Sequence, residues 1–141
     1  FNGGQPVLFP DITYSFYDVW AEVYEIPYET IPLDAGFQLV KEDYFRENGG
    51  IVIANPNAPT GLSVSGGIST IEEIVRRNPD SVVIVDEAYI DFGGETALPL
   101  VRKYENLLVV RTFSKSRAFA GVRIGFAIGS RELVSDINML R

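Results

Sequence analysis

Four apolar runs of strand length recur along the chain, at 51–54, 82–85, 107–110 and 124–128. Three of them are nearly unbroken Val, Ile and Leu, the mark of strands buried on both faces of a parallel sheet. A shorter apolar run at 7–9 follows the loop 2–5. Between these runs the period changes to that of helices. Residues 14–23 place Phe16, Trp20 and Val23 on one face, and residues 69–77 turn Ile71, Ile74 and Val75 inward with Glu72, Glu73, Arg76 and Arg77 outward. A weaker helical pattern covers 96–104, and the last stretch, 131–141, is amphipathic. This alternation predicts an α/β fold, a mostly parallel open sheet with helices on both faces. Only about a dozen residues separate Val110 from Ile124, barely enough for a parallel crossover, so the last strand is expected to run antiparallel after an irregular loop.

The composition narrows the class of chemistry more than the fold. In 141 residues, 46% hydrophobic and 22% charged describe one globular domain or part of one. Twelve basic against nineteen acidic residues leave a net charge of −7, which argues against nucleic acid or an anionic membrane as partner. No apolar run reaches the ~18 residues of a membrane span. Cys and His are both absent. That removes disulfides, thiolate and imidazole metal sites, His-dependent triads and Cys nucleophiles, and no metal site is expected. Chemistry is left to Lys, carboxylates, Tyr, hydroxyls, Arg, Asn or a bound cofactor. The first residues run straight into a strand and the last helix has no C-cap Gly, so the expectation is a piece of a longer chain.

Ligands of open α/β sheets bind outside the carboxyl ends of the strands, so the residues just past each run carry the most information. After 51–54 comes N-P-N-A-P-T-G (55–61), after 82–85 comes D-E-A-Y (86–89), and after 107–110 comes R-T-F-S-K-S-R (111–117). Arg111, Lys115, Arg117 and Arg123 lie within thirteen positions of an acidic chain, interleaved with Thr112, Ser114 and Ser116. Hydroxyls, loop amides and a guanidinium around a turn make a phosphate cradle, and a solvated basic loop is the plainer alternative. Lys115 is one of three lysines, and burial at a strand end would lower its pKa and suit covalent chemistry. Asp86 closes an apolar run and needs a partner, either a cation or protonated ring nitrogen, or the backbone of the segment it would cap. Tyr89 falls on the same side if a helical turn comes next, with core packing the plainer alternative, and Tyr14 opens an aromatic-rich helix and reads as core rather than ligand. Asn57 stands in a Pro-rich turn, where turn chemistry alone favours it. Four apolar residues followed by Asp-Glu also describe a Walker B strand, but no Gly-Lys dipeptide exists for the matching phosphate loop.

Taken together, N-P-N-A-P-T-G, V-D-E-A-Y-I-D-F and T-F-S-K-S-R-A-F-A-G-V-R-I-G-F resemble the fold-type I pyridoxal-phosphate-dependent aminotransferases, in order and over nearly the whole chain. Within them the chain looks most like the histidinol-phosphate aminotransferases, with aromatic amino-acid aminotransferases and threonine-phosphate decarboxylases as alternatives on the same scaffold. The resemblance implies that Lys115 bonds to the aldehyde of pyridoxal 5'-phosphate and later moves a proton at the substrate α-carbon. It implies that Asp86 pairs with the ring nitrogen, that Tyr89 bonds the ring 3-oxygen, and that Tyr14 stacks on the ring. Thr112, Ser114 and Arg123 match the phosphate-binding positions. Many relatives carry Asn directly before Pro-Thr-Gly where this chain has Ala58, and Asn57 is expected to reach the ring from a shifted turn.

The same resemblance implies an amino donor and a 2-oxo acid as substrates, a homodimer and a cytoplasmic place in histidine biosynthesis. Residues 1–141 would then be the central part of the cofactor-binding large domain, with an N-terminal segment and a C-terminal small domain lying outside them. An isolated piece without catalytic activity is the alternative of a different class.

Overall fold

The computed structural model describes residues 4–139. Six strands form a single sheet: β1 (Val7–Pro10), β2 (Tyr28–Ile31), β3 (Gly50–Ala54), β4 (Val83–Asp86), β5 (Leu107–Thr112) and β6 (Gly125–Ile128). Their order across the sheet is β2-β1-β3-β4-β5-β6, and every pair is parallel except β5 with β6. The antiparallel last strand expected from the short connection is present, with Thr112 opposite Gly125 and Val109 opposite Ile128.

Three α-helices accompany the sheet: α1 (Tyr17–Val23), α2 (Gly67–Arg77) and α3 (Arg131–Met139). Helix α2 buries Ile71, Ile74 and Val75 completely, the face its periodicity assigns. They pack on Leu8, Ile51, Ile53, Val83, Val85 and Val109, which point to one side of the sheet. Alternate residues point the other way, where Val7, Phe9 and Tyr17 form a smaller cluster with Ile26 and Val52. Helix α1 covers that second face, so helices do lie on both.

The structure differs from the sequence pattern in three places. The buried side of α1 is Tyr17 and Ala21, whereas Phe16, Trp20 and Val23 are exposed by 47%, 50% and 69%. Tyr17 can go inward because its hydroxyl finds the Asp86 carboxylate there. The weak helical pattern at 96–104 is realised only as a short 3-10 turn, Leu98–Arg102, with Pro99 in its opening turn. Strand β2 has no counterpart in the apolar pattern, because as an edge strand it buries only Ile31 of its four residues. Among the described residues no helix is long and apolar enough to cross a membrane.

Candidate active site

The carboxyl ends of β4 and β5 open, with the turns beside them, onto a cleft of about 310 Å³. Tyr14, Asp86 and Tyr89 line it from one side, and Thr112, Ser114, Lys115 and Arg123 from the other. Seven of the eight residues singled out from the sequence are therefore brought together. Asn57 is the exception. Its side-chain amide accepts from the Thr13 hydroxyl at 2.8 Å and donates to the Ile12 carbonyl at 2.8 Å and to Thr60 Oγ1 at 3.1 Å. The residue on the cleft at this turn is Ala58. Both ends of the Asn57 amide are engaged in holding two loops together, and the residue does not line the cleft it is expected to reach.

Asp86 ends β4 on the α1 side of the sheet. Its Oδ2 accepts the Tyr17 hydroxyl at 2.7 Å and its Oδ1 the Ala88 backbone amide at 2.9 Å. Tyr17 is 7% exposed, and burial first, then the adjoining Asp86 charge, holds its phenol far above the ordinary tyrosine range. It is thus a permanent donor to the carboxylate. Sequence reasoning missed this contact: Tyr17 lies one helical turn past Tyr14, but nothing local connects it with a residue 69 positions away.

The loop after β5 sorts the four clustered cations. Arg111 is paired with Glu87 at 2.7 Å, and Arg117 with Asp91 at 3.4 Å. The Ser116 hydroxyl also donates to Asp91, the first of the causes that hold this carboxyl below its usual value. Of the four cations, Lys115 and Arg123 are left facing the cleft without a carboxylate partner among the described residues. The remaining lysines are also tied: Lys41 to Glu73 at 2.5 Å and Lys103 to Glu72 at 3.3 Å. Thr112 Oγ1 accepts the Ser114 amide at 3.0 Å, and Arg123, in a left-handed conformation with φ 56°, donates to the Ala120 carbonyl at 3.0 Å. Thr112, Ser114 and Arg123 line the cleft together, and a guanidinium beside two hydroxyl-bearing residues suits a phosphate.

Lys115 is exposed, and its ammonium lies 5.0 Å from the centre of the Tyr89 ring. The neighbouring Tyr89 is the largest influence on it and holds its pKa above the ordinary lysine value, against a smaller opposing desolvation. The lowered pKa that a buried strand end would produce is therefore absent, because the residue is not buried. Tyr14, 41% exposed, presents its ring to the cleft and rests edge-on against Tyr17 at 5.6 Å.

The family model for aminotransferase class I and II matches residues 1–141. The chain belongs to this aminotransferase family. A histidinol-phosphate aminotransferase of Lactococcus lactis subsp. cremoris (strain SK11) is 58% identical over 137 residues, which are 97% of this chain and 38% of that protein. This aminotransferase chain thus spans about two fifths of the length of such relatives. Its fold matches the crystal structure of the histidinol-phosphate aminotransferase from Clostridium acetobutylicum with a TM-score of 0.89, at 21% identity over 97% of this chain and 43% of that one. The enzyme of the same name from Sinorhizobium meliloti, solved in complex with pyridoxal-5'-phosphate, matches with a TM-score of 0.86 at 19% identity, over all of this chain and 40% of its own.

Proposed function

We propose that the protein carrying this chain is a pyridoxal-phosphate-dependent aminotransferase that converts L-histidinol phosphate and 2-oxoglutarate to imidazole-acetol phosphate and glutamate. The observation that carries this reading is the set of groups around one cleft: a carboxylate, an amine without a carboxylate partner, an aromatic face and a phosphate cradle. Each fits one part of the cofactor. When bound, the cofactor supplies an aldehyde and a ring that draws electrons from the substrate α-carbon. Lys115 would hold that aldehyde and, once the substrate amine takes its place, its freed amine would move the proton at the α-carbon. Asp86 would hold the protonated ring nitrogen, oriented by Tyr17 and the Ala88 amide. Thr112, Ser114 and Arg123 would take the phosphate, and Tyr14 the ring face. With Ala58 where relatives place Asn, Tyr89 is the residue left for the ring 3-oxygen.

The substrate assignment is supported by relatives at 52–58% identity that carry the histidinol-phosphate aminotransferase name. A cytoplasmic homodimer, with residues 1–141 as the centre of its large domain, accompanies the same reading. The test is visible absorbance after addition of pyridoxal phosphate, followed by borohydride reduction and peptide mapping. The expected adduct sits on Lys115 and disappears in Lys115→Ala; equal labelling of Lys41 and Lys103 would overturn the assignment. Assays of the complete polypeptide with histidinol phosphate, phenylalanine and threonine phosphate are expected to favour the first.

A further inference from the structure

Behind the cleft, on the α2 side of the sheet, lies a buried charged group that the proposed reaction does not use. Strand alternation places Glu87 back to back with Asp86, and Arg111 back to back with Thr112. Glu87 is 1% exposed. Its Oε2 accepts Nε and Nη2 of Arg111 at 2.9 and 2.7 Å, and its Oε1 accepts the Ala97 amide at 2.6 Å. The Thr96 hydroxyl lies 2.9 Å from both Glu87 oxygens and accepts Arg111 Nη2 at 2.8 Å. Asn55, equally buried at the end of β3, continues this layer by donating to the Glu95 carbonyl at 3.1 Å. Three adjacent strand ends are thereby linked to the segment 95–97 by polar contacts centred on the buried Glu87 and Asn55.

We propose that the Glu87–Arg111–Thr96 network is a positioning device that sets the separation between Asp86 and the Thr112–Ser114 end of the cleft. This role rests on the cofactor reading of the cleft. Glu87 and Asp86 are consecutive at the end of β4, and Arg111 and Thr112 are consecutive in β5, so a contact that fixes one pair fixes the other. An ion pair with one partner fully buried and multiply hydrogen-bonded holds its geometry more tightly than apolar packing, which tolerates small shifts. Glu87 and Thr96 do not line the cleft, whereas Arg111 reaches its edge, so the effect of the Glu87–Thr96 contact is transmitted through the two strands.

A ligand that spans both ends of the cleft should feel this separation, whereas one that engages a single end should not. The test measures, in the complete polypeptide, the affinity for pyridoxamine 5'-phosphate, for pyridoxamine and for inorganic phosphate. It compares wild type with Glu87→Gln and with Thr96→Val, two positions that do not line the cleft. The expected result is a loss of about tenfold or more for pyridoxamine phosphate, with less than about twofold change for the two one-ended ligands. Unchanged affinity for all three ligands in a folded variant overturns the proposal. So does an equal loss for all three, or failure of even Glu87→Gln to fold, because the network would then serve the fold alone. Wild-type protein that binds none of the three would instead defeat the cofactor reading of the cleft.

Discussion

Lys115 and Tyr89 show how one neighbour sets the chemistry of a side chain. The raised pKa of Lys115 keeps its amine protonated to higher pH than a free lysine, so the neutral nucleophile grows in as pH rises. Because the Tyr89 hydroxyl is the largest cause, Tyr89→Phe is expected to move this onset to lower pH. Reductive methylation with formaldehyde, mapped to Lys115 across a pH series, measures it; identical profiles for wild type and variant would contradict the assignment. At this scale the strand-end residues were legible because each comes directly after an apolar run. The partners that orient them were not. Tyr17 reaches Asp86 across 69 positions, and the Asn57 amide meets Ile12 and Thr13 across 45 and 44. A side chain with so many possible partners in the chain declares none of them locally. Glu87 is an intermediate case: two acids in succession at a strand end must face opposite sides of the sheet, which marks one of them as buried.

Among the elements, those with a strong period were readable and those at the margin of the sheet were not. Buried strands and α2 declare themselves by burial on one or both faces, while β2, with three exposed residues of four, has no pattern to declare. Helix α1 misled because aromatic residues occur all round it, and which face goes inward is decided by the Asp86 carboxylate. The pairing of β5 and β6 depends on a residue without a side chain. A Cβ on Gly125 would lie 2.9 Å from the Arg111 carbonyl oxygen, a backbone atom that cannot rotate aside. Gly125→Ala is expected to push β6 away from β5 at the Thr112 pairing and to cost about 1–3 kcal/mol. Denaturant unfolding would read this as a lower midpoint at unchanged slope. An unaltered midpoint would show that the hairpin absorbs the methyl group.

The molecule as a whole divides at the sheet into a thick apolar layer under α2 and a thin one under α1. Each layer buries a tyrosine hydroxyl, Tyr44 in the first and Tyr17 in the second, and burial raises both phenols well above their ordinary range. Unfolded tyrosine releases its proton near pH ~10. Above that pH the unfolded chain binds fewer protons than the folded one, so stability falls as pH rises, whereas below it these two groups contribute no pH dependence. Alkaline titration by tyrosine absorbance should therefore show two of the seven tyrosines ionising only as the circular dichroism signal is lost. All seven ionising while the helical signal persists would refute the burial of these two hydroxyls.

The reversed direction of β6 has a consequence for how the rim of the cleft is built. A parallel strand can offer a common rim only the residues at its own carboxyl end, one short segment per crossing of the sheet. Because β6 runs backwards, the residues that precede it stand at that same rim, and Arg123 comes two residues before its start. One excursion of the chain between Thr112 and Gly125 therefore delivers both the Lys115 amine and the Arg123 guanidinium to one mouth. Had β6 been parallel, its leading residues would have been carried to the opposite edge, and the two side chains would have needed separate loops.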